Sequence, residues 1–345
     1  MGKMTLSDLV SHQEFADYVN LAMIEQSPLV RSGVVTQDPV IAQKCANAGF
    51  EGKTLDLPFL NSLDDADDAE VPVEDTAPTG VDKVKSGQDT AVVQFRRKKF
   101  GITDVTSVMG GVDPAKQIAD QIAPYWWKQD QKILLAVLTG IFAANARKSG
   151  TNDTENDTNG YKNGCDGDMI LDLTGEDGTA ANLDKDSIML AAQLLGDHKQ
   201  DLVAVACHSM VDTYLSGLDL NAGLYRPSEG PATLAKYNGR DLIVDDTIPY
   251  DPSTKVATIY LFGRGCVALN QLPTKNQFEA QRDADKGTDY IHMWRRFICH
   301  IRGWKWNGSM AGLAPTDAEL KAASAWKRVY DKKRIPCVML KCKLG

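Results

Sequence analysis

The sequence contains no C-x-x-C pair, no H-E-x-x-H, no G-x-S-x-G, and no G-x-G-x-x-G behind a strand-like run. The usual signatures of redox dithiols, metallopeptidases, hydrolases and dinucleotide-binding folds are therefore missing. Its 5 histidines (His12, His198, His208, His292 and His300) are dispersed. Its 7 cysteines (Cys45, Cys165, Cys207, Cys266, Cys299, Cys337 and Cys342) are odd in number and scattered, which excludes a secreted disulfide framework and favours reduced thiols in a cytosol. Cys337 and Cys342 stand as C-x4-C without a second pair or a close histidine, so no zinc site is expected there.

Long apolar runs are also missing. The longest, Ile133–Ala144, includes Thr139 and Gly140, and it falls well short of the roughly 20 residues a membrane-crossing helix needs. Met1–Asn20 is interrupted by Lys3, Asp8, His12, Glu14 and Asp17, which is not the pattern of a secretory signal. A soluble protein with no membrane partner is expected. An overall basic charge is absent too: the formal net charge is −8, which argues against a general nucleic-acid binder while leaving room for a local basic patch.

The chain of 345 residues, 43% hydrophobic by the broad count, can fill one large core or two lobes. Residues 5–26 carry Leu9, Phe15, Val19, Ala22 and Met23 at helical spacing, and Ser27-Pro28 stops that helix. The segment that follows, to about Gly49, has little periodicity and reads as an extended arm. Thr54–Phe59 and Thr90–Phe95 alternate as strands. Between them lie Asp64, Asp65, Asp67, Asp68, Glu70, Glu74, Asp75 and Asp82, with no lysine or arginine before Lys83. Behind the second strand comes Arg96-Arg97-Lys98-Lys99. Two strands around an acidic, proline-containing tip describe an extended β-hairpin or loop that cannot bury much by itself: either a solvated surface loop or an arm that packs on a neighbouring subunit, matching its acidic tip to a basic surface.

The strongest local signal is a helix over 113–149. Asp113 suits the N-cap and Pro114 the first turn, Ile118, Ile122, Trp126, Ile133, Val137 and Ile141 recur mostly at four-residue spacing, and Gly150 follows the end near Lys148. Pro124 is expected to kink it. Residues 150–182, rich in Asn, Asp and Gly, read as an exposed linker. An alternating α and β pattern follows: a helix at Ile188–Leu195, a buried strand at Leu202–Cys207, a helix at Ser209–Leu218, and strands at Leu242–Val244 and Val256–Phe262. Residues 289–306 read as one long strand, Ala318–Tyr330 as a short helix, and Ile335–Lys343 as a closing strand.

Several chemical near-misses are present. Asn47-Ala48-Gly49-Phe50-Glu51-Gly52-Lys53-Thr54 imitates a phosphate loop, with Leu242–Asp245 as its acidic strand. However, Lys53-Thr54 leads into a strand containing Pro58, where a phosphate loop leads into a helix. Cys207-His208 and Cys299-His300 are adjacent pairs, whose side chains diverge. The acidic run lacks calcium-loop spacing. Trp294–Phe297 and Arg302–Trp306 interleave rings and cations, which suits a nucleic-acid surface or, equally, a packed strand beside a charged contact. The final stretch holds Lys321, Lys327, Arg328, Lys332, Lys333, Arg334, Lys341 and Lys343 against Asp317, Glu319 and Asp331. That excess of positive charge can receive the acidic tip of another copy.

The order of these parts resembles the major capsid (coat) proteins of tailed bacteriophages, whose fold is shared by encapsulins. Leu6–Val10, Phe15–Val19, Ser32–Val35, Leu57-Pro58-Phe59, Asp113-Pro114 and Trp326–Tyr330 are similar to stretches of that family. The resemblance covers essentially the whole chain and rests on the number and order of these motifs.

It implies an α+β tailed-phage major capsid fold. Residues 1–50 would form an N-terminal helix and arm, and 51–100 an extended β-hairpin loop. Residues 101–194 and 286–345 would form a peripheral lobe with the spine helix 113–149, and 195–285 an α/β axial lobe. It implies a shell protein with no catalytic residue, cofactor or metal, assembled in the host cytoplasm into pentamers and hexamers of an icosahedral virion capsid around packaged double-stranded DNA. Asp64, Asp65, Asp67, Asp68, Glu70, Glu74 and Asp75 are expected to meet Lys327, Arg328, Lys332, Lys333 and Arg334 of a neighbour. A portal protein, a decoration protein, DNA bound without sequence specificity, and a separate scaffolding protein are the other expected partners. The last is expected because only about 50 residues precede the hairpin. Lys83 and Lys85 could serve the covalent crosslinking of some relatives, but no asparagine or buried glutamate can be singled out to complete it.

Overall fold

In the computed structural model the described residues are 32–46, 52–60, 86–103, 114–148, 165–176, 178–184, 186–218, 224–225, 235–272, 274 and 277–345. The expected helix at 5–26 and the acidic run 64–75 lie outside them.

The first elements are a two-residue strand β1 (Val35–Thr36) and a helix α1 (Pro39–Ala46). This corrects the extended arm expected up to Gly49. Asp38 Oδ1 accepts from the Val40 and Ile41 amides at 2.8 and 3.4 Å, Pro39 opens the first turn, and Ile41 and Cys45, one turn apart, are both buried. A helix of 8 residues is too short for its periodicity to stand out in the sequence.

Strands β2 (Thr54–Leu60) and β3 (Ser86–Thr103) pair antiparallel from Thr54↔Val92 to Leu60↔Ser86. Helix α2 (Pro114–Asn145) has 32 residues, about 48 Å at 1.5 Å per residue, and stays continuous through Pro124. It stops short of Lys148 because Asn145 is drawn inward: its amide donates to Asp168 Oδ1 at 2.9 Å and its Oδ1 accepts from the Met169 amide at 3.3 Å. Behind it, β4 (Ile170–Asp172) corrects the exposed linker expected up to 182, with Met169 buried beside it.

The α/β stretch follows as α3 (Ser187–Ala192), β5 (Leu202–Cys207), α4 (Ser209–Gly217), β6 (Leu224–Tyr225), β7 (Lys236–Tyr237), β8 (Arg240–Val244), β9 (Tyr250–Asp251) and β10 (Val256–Gly263). Then come β11 (Val267–Leu272), β12 (Phe278–Asp283) and β13 (Thr288–Ile301). The single strand expected over 289–306 is two, because Gly303, at φ +93°, turns the chain into β14 (Trp304–Trp306). A Cβ there would come within 2.9 Å of Ile335 and Tyr330, so only glycine fits. The helix expected over 318–330 is also shorter. A capping box between Thr316 and Glu319 starts α5 (Asp317–Lys321), and Trp326–Arg328 is a strand, β15, paired antiparallel with β14. The chain closes with β16 (Cys337–Lys343).

Two sheets result. The first is six-stranded, in the order β1-β11-β13-β3-β2 with β12 beside β13; the second is eight-stranded, in the order β4-β16-β10-β5-β8-β7-β6 with β9 beside β10. β11 and β12, within 195–285, belong to the first sheet, and β16, within 286–345, belongs to the second. Sheet membership therefore does not follow the sequence boundaries expected for the lobes. The cause is pairing: β13 gathers both β11 and β12, while β16 pairs with β10 over its whole length.

Helix α2 serves both sheets. Ile133, Val137, Ile141 and Phe142 share one core with Phe297 and Cys299 of the first sheet and with Ala206, Tyr260, Phe262 and Met339 of the second. One turn after another towards its start, Ile122, Ala123 and Trp126 cover Phe278, Ile291 and Met293. The opposite face of the second sheet is covered by α3 and α4, and that of the first, over part of its width, by α1. Burial of these apolar side chains supplies the main driving force for the arrangement.

Candidate assembly surfaces

The hairpin is rooted by a buried polar cluster that sequence reasoning missed. His300 Nε2 of β13 lies 2.9 Å from Asp89 Oδ2 of β3, both side chains fully buried. The Gly303 amide donates to the same oxygen at 3.1 Å. Burial pushes the Asp89 carboxyl up, but the charge and hydrogen bond of His300, the Gly303 amide and Arg302 outweigh it, leaving Asp89 below the ordinary aspartate value. Alongside, Arg302 Nε donates to Asp38 Oδ2 at 2.7 Å, and Asp38 and Asn270 exchange two bonds of 3.0 Å. Helix α1 is thereby tied to the base of the hairpin.

Further bonds fix the hairpin's flanks. Arg96 donates to the Pro315 carbonyl and to Asp317, at 3.1 and 3.0 Å, and Lys53 Nζ to the Gly312 carbonyl at 2.9 Å. Since the Val93 amide bonds the Lys53 carbonyl, Thr54, Asp56, Pro58 and Leu60 turn their backbone groups to the open edge of β2. Lys44 Nζ takes the Asp56 carbonyl at 2.6 Å, and Pro58 has no amide hydrogen to offer. Both features discourage addition of a further strand.

The cationic stretch near the end divides. Arg328 is 3% exposed and bonds Asp168 at 2.7 Å, within a cluster completed by Asn145. It is committed inside the chain, which corrects the expectation that it faces a neighbour. Lys333 pairs with Asp197 at 3.0 Å on the surface. Lys327 is half-buried in β15 opposite Lys305, and Arg334 is exposed. Lys332–Arg334 form a single 3-10 turn capped by Asp331.

The near-misses resolve into structure. Lys53-Thr54 opens a strand. His208 caps α4, accepting from the Met210 amide at 3.1 Å. Burial pushes the thiols of Cys207, Cys299 and Cys342 up to about 12, so they are poor nucleophiles. Cys337 and Cys342 belong to cores on opposite faces of the second sheet and do not converge. Trp304 and Trp306 are buried, and Arg295 grips Asp130 with bonds of 3.0 and 3.2 Å between Trp126 and Phe297. Among the described residues no three His, Cys, Asp or Glu side chains cluster to hold a metal, and no helix is long and apolar enough to cross a membrane.

The chain superposes on a structure from Microbacterium phage Oxtober96 with a TM-score of 0.52, at 13% identity, covering 91% of this chain and 90% of that one. It superposes on the capsid of Ralstonia phage GP4 with a TM-score of 0.53, at 10% identity, covering 85% and 84%. These likenesses establish the class by fold: a mixed α+β architecture shared with those phage structures.

Sequence supplies the family. The model of the Gp13-like family, "Major capsid protein 13-like", matches residues 82–339. The major capsid protein of Bacillus phage SPP1 is 30% identical over 349 residues, covering 100% of this chain and 99% of that protein. The chain belongs to the Gp13-like major capsid protein family: a self-associating, non-enzymatic structural protein of the tailed-phage virion that forms the capsid shell.

Proposed function

We propose that the chain assembles as pentamers and hexamers that close an icosahedral shell around packaged double-stranded DNA. The observation that carries this reading is the β2–β3 hairpin. Among the described residues its two strands pair as far as Leu60↔Ser86, its root is fixed by the fully buried Asp89–His300 pair, and the sequence between these residues holds eight carboxylates before its first cation. A rooted strand pair joined by an acidic sequence suits a contact across a subunit boundary, since closed shells need one surface to serve slightly different angles.

In this reading 51–100 reaches a neighbour. Asp64, Asp65, Asp67, Asp68, Glu70, Glu74 and Asp75 meet Lys327, Lys332, Lys333 and Arg334 there, with Arg328 left to its own Asp168. Complementary charge of this kind sets register and encounter rate more than affinity. The first sheet with the start of α2 forms the peripheral lobe, and the second sheet with α3 and α4 the axial lobe. This division by sheets replaces the boundaries at 195 and 285. A separate scaffolding protein, a portal protein, a decoration protein and DNA held without sequence specificity complete the set of partners that membership in the family supports.

Deleting Asp64–Val84 tests the arm. Soluble capsomers or monomers that no longer close into shells are expected; normal shells from the deletion would remove the arm from the account.

A further inference from the structure

Several described cations of this chain are neutralised by its own carboxylates. Arg96 pairs with Asp317, Arg295 with Asp130, Arg302 with Asp38, Arg328 with Asp168, Arg282 with Asp289 and Lys333 with Asp197. Arg97, Lys98 and Lys99 form a consecutive row on β3 beside aromatic rings. All three are exposed, and among the described residues none has a carboxylate partner; each lies instead against an aromatic ring. Arg97 sits over Trp294 at 5.8 Å from the ring centroid, Lys98 over Tyr125 at 6.0 Å and Lys99 over Tyr290 at 3.6 Å.

Topology explains why this row is open. β2 pairs with β3 only as far as Val92, so among the described residues the outer part of β3 has a neighbour on the β13 side alone. Helix α1 meets the same sheet face at Val93, Ile298 and Leu272, before the row begins. Beyond it, Arg97 stands opposite Trp294, Lys99 opposite His292 and Gly101 opposite Tyr290. Gly101 lets the Tyr290 ring lie against the strand, where a Cβ would sit 3.1 Å from it. Phe95 extends the ribbon, 5.7 Å from Trp294. The outcome is a sheet face with half-buried rings on its central strand and, along the flanking strand, Arg97 and Lys99, which have no carboxylate partner among the described residues; Lys98 lies on the opposite face.

We infer that this stretch of β3, with Arg97 and Lys99 over Trp294 and Tyr290 on one face and Lys98 beside Tyr125 on the other, binds the phosphodiester backbone of nucleic acid. The inference rests on the shell reading, which places the protein against packaged DNA. Cations meet phosphates, and rings or a guanidinium plane stacked on a ring offer a platform to bases; sheets recognise nucleic acid with this pairing of groups. An acidic peptide would use the cations and leave the rings without a role, which decides for nucleic acid. The overall charge of −8 keeps background attraction low, so the row supplies the binding itself.

The test uses the full chain, as capsomers and as shells, with fluorescent single-stranded and duplex DNA of about 20 nucleotides at several salt concentrations. Anisotropy should show binding that weakens with salt. The triple variant R97Q/K98Q/K99Q should bind at least about tenfold more weakly and lower the log–log salt slope by about two to three. The triple variant K236Q/K255Q/K321Q, an equal charge change on exposed lysines elsewhere, should bind as the parent does. Trp294→Phe should lose the fluorescence quenching that DNA causes, while keeping its fold by circular dichroism. The single-stranded and duplex arms report which form of the backbone is preferred, and sensitivity of either to the row supports the site. DNA binding untouched by R97Q/K98Q/K99Q would overturn the site. So would a variant that loses shell closure and binds DNA normally, with a peptide of residues 61–84 as the ligand. Electron microscopy of the same samples separates the two readings, because shells that form without row-dependent DNA binding leave the assembly function standing.

Discussion

Asp89 and His300, 211 positions apart in the chain, meet at 2.9 Å with neither side chain reaching solvent, and they join the hairpin strand β3 to the return strand β13. Removing one member of a fully buried pair strands the other, a loss of about 3–5 kcal/mol. Asp89→Asn is therefore expected to lower the denaturation midpoint sharply at neutral pH. The pH dependence has a definite sign. Asp89 is depressed in the folded state, so its contribution is present above the unfolded aspartate value and is lost as pH falls through the folded one. Midpoints measured from about pH 7 down to pH 2 should converge for parent and variant below about pH 4. A constant gap across that range would contradict the role given to Asp89.

Gly140 lies on the face of α2 that meets the α5–β15 connection. A Cβ at this position would stand 2.0 Å from the Leu320 carbonyl and 2.6 Å from Trp326 Nε1, which itself donates to that carbonyl at 2.8 Å. Overpacking of this kind costs about 1–3 kcal/mol. Gly140→Ala should drop the thermal midpoint, whereas Gly175→Ala, where nothing lies within 4 Å, should leave it within about 0.5 kcal/mol.

Arg328 and the 3-10 turn at 332–334 should separate stability from assembly. Arg328→Ala leaves Asp168 and Asn145 without their buried cation and should cost about 3 kcal/mol in denaturant titrations. Lys332→Ala with Arg334→Ala, on the surface, should change stability by no more than about 0.5 kcal/mol while slowing shell growth in light scattering.

All 7 cysteines are buried, and the thiols of Cys207, Cys299 and Cys342 are pushed up to about 12 by burial. An aromatic disulfide reagent at neutral pH should find essentially no reactive thiol in the folded chain and all of them after denaturation. Rapid labelling of any of these three in the native state would contradict the packing described.

The elements carried by long or repeated patterns were legible in the sequence: the alternation of β2 and of the middle of β3, the four-residue spacing of α2, and the apolar runs of β5 and β10. The α1 helix was not, because its signal is a single Asp38-Pro39 start and one buried pair, Ile41 and Cys45. Residues 289–306 alternate as one strand would, so only the left-handed backbone at Gly303 reveals the break. The Asp89–His300 and Asp168–Arg328 pairs could not be read at all, since periodicity reports which face a residue occupies and never which distant strand supplies its partner. Arg328 looked like surface charge for that reason. The Arg97–Lys99 row was visible as a basic run, but its setting against Trp294, Tyr125 and Tyr290 needed the sheet.

The central claim, that this chain works by closing into a shell, is tested most directly by negative-stain electron microscopy of the purified protein with light scattering on the same sample. The account predicts rings of five and six subunits or closed particles of megadalton mass. A uniform monomer or dimer that persists under crowding and with a scaffolding protein supplied would contradict it.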